Sequence, residues 1–315
     1  MTQVQVASRK AEAYTFGVEI ECFVPRTAMT EYGIRRGGYH NGLPLPAPFP
    51  IGWECQADSS LRTTRNDMVA VEIVSPKLSG MSGILSVRRV VELLKGMGAA
   101  VNPSCGLHVH VGIASVVPNL NDRAEWIGRL MYEVAMNEDA LYAQTGTRRR
   151  STNGYASSIK NEKSVADTLV GARTAQAKDV AIRFAANGTQ RMNSLNLTNL
   201  LNPSKLTVEF RAFAPTLEWK KAYAHIQTCL ALCERATERT AMDWDAIAGE
   251  FYSSRTAALG MRSLRRFFYL AGWVKGRRQT RQAEVEMAGW IAPLEDLKAV
   301  RAEMRRLARK YDGAA

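Results

Sequence analysis

Four short segments carry ionisable side chains at alternate positions, the spacing that puts them on one face of an extended strand. In YTFGVEIECFV (residues 14–24), Glu19 and Glu21 share a face with Gly17 and Phe23, opposite Val18, Ile20, Cys22 and Val24. In VAVEIV (69–74), Glu72 lies opposite Val71 and Ile73. In GLHVHVGI (106–113), His108 and His110 share a face, and Leu107, Val109 and Val111 take the other. In LTVEFRAF (206–213), alternation groups Thr207, Glu209, Arg211 and Phe213 against Val208, Phe210 and Ala212. Any one of these suits a solvated strand. Paired acids, paired imidazoles and an acid–arginine pair in succession, each backed by an apolar face, describe a site instead. Two of the chain's four histidines fall in one such strand.

Carboxylates converging on one face repel unless cations lie between them. Mg²⁺ and Mn²⁺ take carboxylate oxygens, tolerate an imidazole and bind readily beside substrate phosphates. Zinc prefers more His or Cys ligands, and H-E-x-x-H is absent. An arginine beside metal-bound acids suits a phosphoryl group in transfer. The residue types therefore point to phosphoryl chemistry with two or more divalent ions. No Walker A motif, kinase glycine loop or G-x-G-x-x-G occurs, which excludes the P-loop and Rossmann solutions.

The elements that must position these groups follow from period and punctuation. The four segments read as strands rich in β-branched and aromatic residues. Residues 31–52 form a Gly/Pro-rich stretch long enough to be functional or mobile. Helices are expected at 82–97, ending near Gly98, at 121–143, at 218–238 and at 293–311, with the basic, aromatic RSLRRFFYLAGW between the last two. Residues 144–165, which contain Arg148, Arg149, Arg150, Asn153, Tyr155 and Lys160, read as a basic loop, either closing over a nucleotide or simply exposed. Residues 191–200 read as a strand or extended segment, followed by a turn at Asn202-Pro203-Ser204-Lys205. This is an α+β layout: a catalytic body at 1–217 and a helical C-terminal layer at 218–315, packed as one domain.

GVEIE, VEIVSP, CGLHVHV, then R-x-N with TVEFR, in that order, resemble the amidoligase family of the carboxylate–amine ligase superfamily, over about residues 14–215. The resemblance implies a glutamine-synthetase-like fold, a curved antiparallel sheet forming a funnel backed by helices. It implies ATP-dependent joining of a carboxylate substrate to an amine substrate through an acyl phosphate. By motif position, Glu19 and Glu21 look like ligands of two different ions and Glu72 like a further ligand, helped by Asp58. His108 and Glu209 look like ligands of the nucleotide-side ion, and His110 would lie near nucleotide phosphate or substrate. Arg211 looks like the phosphate-stabilising arginine. Arg191, and next Lys205, are candidates to hold the acyl phosphate or the substrate carboxylate. Glu72 stands alone where glutamine synthetase has two acids.

The chain has 315 residues with a net charge of +12, which favours anionic partners: nucleotide phosphates, an acidic peptide or polymer substrate, or nucleic acid, which the reading permits without requiring. The first thirteen residues lack the apolar core of a signal peptide, and no apolar run is long enough for a transmembrane helix. The five cysteines form no C-x-x-C, so a reducing, cytoplasmic setting is expected, with Cys229 and Cys233 on one helix face in the core. His40 and His225 are expected to be structural or exposed, and Trp53 and Trp126 core or rim aromatics. Oligomerisation is left open. Two further readings stand beside the ligase: a guanidino or other phosphotransferase on the same fold, and a basic nucleic-acid-binding protein without catalysis.

Overall fold

The computed structural model describes residues 14–117, 120–145, 154–188 and 191–238, with Ala302 and Arg306. The strands are β1 (Thr15–Pro25), β2 (Leu43–Pro44), β3 (Glu54–Gln56), β4 (Met68–Val74), β5 (Leu78–Ser79), β6 (Leu107–Gly112), β7 (Leu195–Asn196) and β8 (Thr207–Phe213). The helices are α1 (Arg26–Glu31), α2 (Gly80–Gly96), α3 (Leu120–Gln144), α4 (Lys163–Gly171), α5 (Ala175–Gly188) and α6 (Trp219–Glu238). Seven strands run in the order β2-β3-β4-β1-β6-β8-β7, every pair antiparallel, and β5 adds to one end of β1.

The eleven-residue β1 lies between β4 and β6 because its apolar alternation matches theirs. Val18, Ile20, Cys22, Val71, Ile73, Leu107, Val109, Val111, Val208 and Phe210 are all fully buried on the back face. Against them pack α2 through Ile84, Val87, Val91 and Leu94, α3 through Ile127, Leu130 and Val134, and α6 through Tyr223, Ile226 and Leu230. Each such side chain contributes roughly 1.5–3 kcal/mol of transfer free energy. One continuous core thus runs from β1 to α6, and Trp53, Trp126, Cys229 and Cys233 lie in it. The end of α2 returns the chain to the sheet. Gly98, at φ 77°, adopts the left-handed conformation that favours glycine. Two residues on, Ala100 exchanges both backbone hydrogen bonds with Phe23.

The structure differs from the sequence reading in three places. Within the loop expected at 144–165, 3₁₀ turns occupy Gly154–Ala156 and Ile159–Glu162, and α4 begins at Lys163. Arg148, Arg149, Arg150 and Asn153 lie outside the described residues, as does the helix expected at 293–311 apart from Ala302 and Arg306, which are helical. The extended segment at 191–200 is a two-residue strand followed by a 3₁₀ turn, Thr198–Leu201. Finally, Phe213 leaves the face of Glu209. A β-bulge shifts the β6–β8 register so that Leu107 pairs with Phe213 while Val109 pairs with Phe210. Two residues, Arg211 and Ala212, therefore oppose His108, and the extra residue turns Phe213 to the helix side. There it stacks on His225 of α6 at 4.3 Å between ring centroids. Burial, and then the charge of Lys221, push His225 down to about 3, so the imidazole is an uncharged core group.

Candidate metal and phosphate site

Register assembles the front face. Glu21 lies directly opposite Glu72, and Gln56 opposite Glu72 from the other side. Glu19 faces His108, His110 faces Glu209, and Glu209 faces Asn196. Six strands thus lay down one row of polar side chains across the sheet, and Glu19, Glu21, Glu72, His108, His110, Glu209 and Arg211 all belong to it. Phe23 shares this face, where Leu61, Met68 and Cys105 pack on it and close one end with an apolar plug.

The row is tightly connected. His108 Nδ1 lies 3.1 Å from Glu19 Oε2 and 3.5 Å from Glu209 Oε1, and His108 Nε2 lies 3.6 Å from Glu21 Oε1. His110 Nε2 meets Glu19 Oε1 at 3.0 Å. Arg211 Nη1 donates to Glu209 Oε1 at 2.5 Å. An amide stands at each end: Gln56 Nε2 donates to Glu72 Oε2, and Asn196 Nδ2 donates to Glu209 Oε2 at 2.6 Å. Neither amide was singled out in the sequence. Their signal is strand alternation in segments of two and three residues, too short to read without the register.

Among the described residues, three groups of donor atoms lie within 4.8 Å of one another: Glu19–His110–Glu209, Glu19–Glu72–His108 and Glu21–Asp58–Glu72. The donors fit hard divalent cations, being mostly carboxylate oxygens with one imidazole at most per group. His108 Nε2 is a buried atom with no hydrogen-bond partner, while its Nδ1 faces two carboxylates. An imidazole that gives one N–H to a carboxylate and keeps the other nitrogen bare is oriented as a metal ligand. Asp58, on the loop after β3 and named beside Glu72 in the sequence reading, lies in the group with Glu21 and Glu72.

Electrostatics divide the row. At Glu72, burial and then the charges of Glu19, Glu21 and Asp58 outweigh the Gln56 hydrogen bond and push the carboxyl up to about 9. Glu19 goes the other way. Burial would raise it, but the charge of His110 and hydrogen bonds from both imidazoles hold it well below the usual carboxylate range. Burial likewise opposes ionisation of Glu209, and His110 with Arg211 overcomes it, so the carboxyl is held low. Burial disfavours charge on His110, but Glu19 and Glu209 raise its proton affinity above the ordinary value. Without cations, then, the β6–β8 side carries ionised acids with their cationic partners, and the β3–β4 side retains a proton.

The remaining candidates stand at the rim. Arg191 is exposed, its Nη2 lies 3.0 Å from His40 Nε2, and its guanidinium lies 5.9 Å from the centre of the Tyr39 ring. His40, in the Gly/Pro stretch before β2, thereby meets a residue leading into β7 at the opposite edge of the sheet. Burial and the charge of Arg191 lower its proton affinity. Lys205 is exposed in the turn before β8 and acts on His40 and His110 through its charge.

The chain belongs to the amidoligase family: the family model described as "Putative amidoligase enzyme" matches residues 50–233. That span holds Glu72, His108, His110, Arg191, Lys205, Glu209 and Arg211, and the pairing of β1 with β4 and β6 adds Glu19 and Glu21. No curated protein matches the chain. Among solved structures, the bifunctional glutathione synthetase from Pasteurella multocida is similar with a TM-score of 0.44 and 12% identity, over 99% of this chain and 53% of that one. The chain spans about half the length of that structure. Among the described residues no helix is long and apolar enough to cross a membrane.

Proposed function

We propose that the chain is an ATP-dependent carboxylate–amine ligase, which joins an acid to an amine through an acyl phosphate. The observation that carries this reading is the overlap of three acid-rich donor groups on one sheet face, with Arg211 on Glu209 beside them, in a member of the amidoligase family. An antiparallel sheet with ionisable groups in front and helices behind is the arrangement expected of a glutamine-synthetase-like body, and α6 on the same core supports a C-terminal helical layer packed within that domain.

In this reading Glu21, Glu72 and Asp58 would hold one Mg²⁺ or Mn²⁺, and Glu19, His108 and Glu209 another. When bound, such ions would neutralise charge on phosphate oxygens and make the phosphorus more electrophilic. The rest falls to the chain. The substrate carboxylate attacks the γ-phosphorus, the bond to the β-phosphate oxygen breaks, and ADP leaves. Arg211, held by Glu209, would set its positive charge against the negative charge that develops on the transferred group. The amine then attacks the acyl carbon, phosphate departs, and the attacking nitrogen loses its proton. His110, hydrogen-bonded to Glu19, faces the same space and orients phosphate or substrate. Arg191 and Lys205 at the rim would hold the anionic acyl phosphate or the substrate carboxylate. The mass of the product distinguishes small-molecule substrates from an acidic peptide or polymer. Buried cysteines, none in a disulfide, support a reducing, cytoplasmic setting.

The test is metal-dependent ATP turnover by Glu21→Gln and Glu209→Gln. Each is expected to lose at least about a hundred-fold in kcat, the scale of removing one electrostatic stabiliser. Full turnover by both variants would remove the site assignment.

A further inference from the structure

Glu138 lies off the front face, yet its buried carboxylate ties down the segments that border it. It sits on α3 with 1% exposure. Its Oε1 accepts from the Ile159 backbone N–H at 2.9 Å and from the Ser194 hydroxyl at 2.5 Å, and its Oε2 accepts from the Ser158 hydroxyl. The two segments so gathered also bond to each other: Ser157 N–H donates to the Met192 carbonyl, and Ser194 N–H to the Ser157 carbonyl, each at 2.7 Å.

The second segment leads into the site. The Ser194 carbonyl accepts the Arg211 backbone N–H at 2.7 Å. Two residues on, Asn196 donates to Glu209 Oε2, while its own Oδ1 accepts from the backbone N–H and the hydroxyl of Thr198. Those acceptances fix the amide so that its NH₂ points at Glu209. β7 has two residues and pairs with β8 alone. So short a ladder is weak by itself. A buried carboxylate, by contrast, resists losing any of its donors, because a desolvated charge left without hydrogen bonds is strongly unfavourable.

We propose that Glu138 is a positioning residue for Glu209: by anchoring Ser194 it sets β7, and β7 sets Glu209 through Asn196 and the Arg211 backbone. The inference rests on reading Glu209 as a ligand of a divalent cation, and Glu138 itself touches neither ion nor substrate.

The experiment is a Mn²⁺ titration of the full chain, with free ion followed by electron paramagnetic resonance. Glu209→Ala marks the binding class that depends on β8. Glu138→Leu, close in volume but without acceptors, is expected to weaken that class about ten-fold or more, the usual cost of losing a partner behind a metal ligand. Binding at Glu21, Asp58 and Glu72 should stay at the wild-type level. Glu138→Gln, whose amide oxygen can still accept from Ser194 and Ile159, should restore most of the affinity. A folded Glu138→Leu protein that binds both classes as tightly as wild type overturns the proposal, as does a lowered melting temperature with unchanged Mn²⁺ binding. If Glu138→Leu does not fold, Ser194→Ala cuts only the tie to β7. A weakened β8 class then supports the proposal, and unchanged affinity overturns it. A wild-type chain that binds no Mn²⁺ removes the metal reading and this inference with it. Two wild-type classes untouched by the Glu138 and Ser194 variants remove the role of Glu138 alone.

Discussion

Glu72 is where the charge of the site is least settled. Facing Glu21 across the β1–β4 pair and grouped with Asp58, it holds its proton up to about 9 in the absence of cations. Its folded pKa lies above the unfolded value, so its contribution to stability is complete below about pH 4.5 and is lost as pH rises toward 9. The metal-free chain should therefore become easier to unfold with urea between pH 5 and 9, and Glu72→Gln should flatten that slope. Identical slopes in the two proteins would contradict the shift. Mn²⁺ should remove the slope in the wild type and release a proton as it binds at pH 7. Arg211 makes a second prediction at this scale. Its Nη1 donates to Glu209 Oε1 from a planar, delocalised guanidinium, a geometry that lysine cannot copy. Arg211→Lys should lose roughly a hundred-fold in kcat with Mn²⁺ affinity nearly kept; wild-type kcat would show that charge alone suffices.

At the scale of elements, alternation made the front-face residues legible, because a strand buried on one face has to display its other side chains together. β1, β4 and β6 obeyed that rule along their length. β8 broke it after Arg211, where one extra residue reverses the faces, and nothing in LTVEFRAF marks a bulge. The consequence is measurable. Phe213 belongs to the core, so Phe213→Ala should cost about 3–5 kcal/mol in denaturant unfolding. A cost near zero would return Phe213 to the front face and remove the bulge. The helices at 82–97, 121–143 and 218–238 were read within a few residues, since each carries a full apolar stripe. α4 and α5 were not separated from their surroundings. α4 has nine residues, and α5 leaves Val180 and Phe184 exposed. Gln56 and Asn196 were hidden for a different reason, because their roles exist only across a ladder.

For the whole molecule, a net charge of +12 and an acidic centre coexist. The cations Arg191, Lys205 and Arg211 border the carboxylates, so the front face suits a ligand that is anionic and brings metal ions with it, as a nucleotide does. A nucleic-acid-binding chain has no use for buried acids grouped at ion-binding distance. A phosphotransferase would use the same groups and stop one step earlier, leaving a stable phosphorylated product. The decisive measurement is phosphate release from ATP against a panel of acids and amines, with mass spectrometry of the products. Ligation predicts that phosphate release requires an acid and an amine together, and that the product has the mass of the pair less one water. A phosphorylated product that persists, or ATP consumption indifferent to every acid and amine, would contradict it.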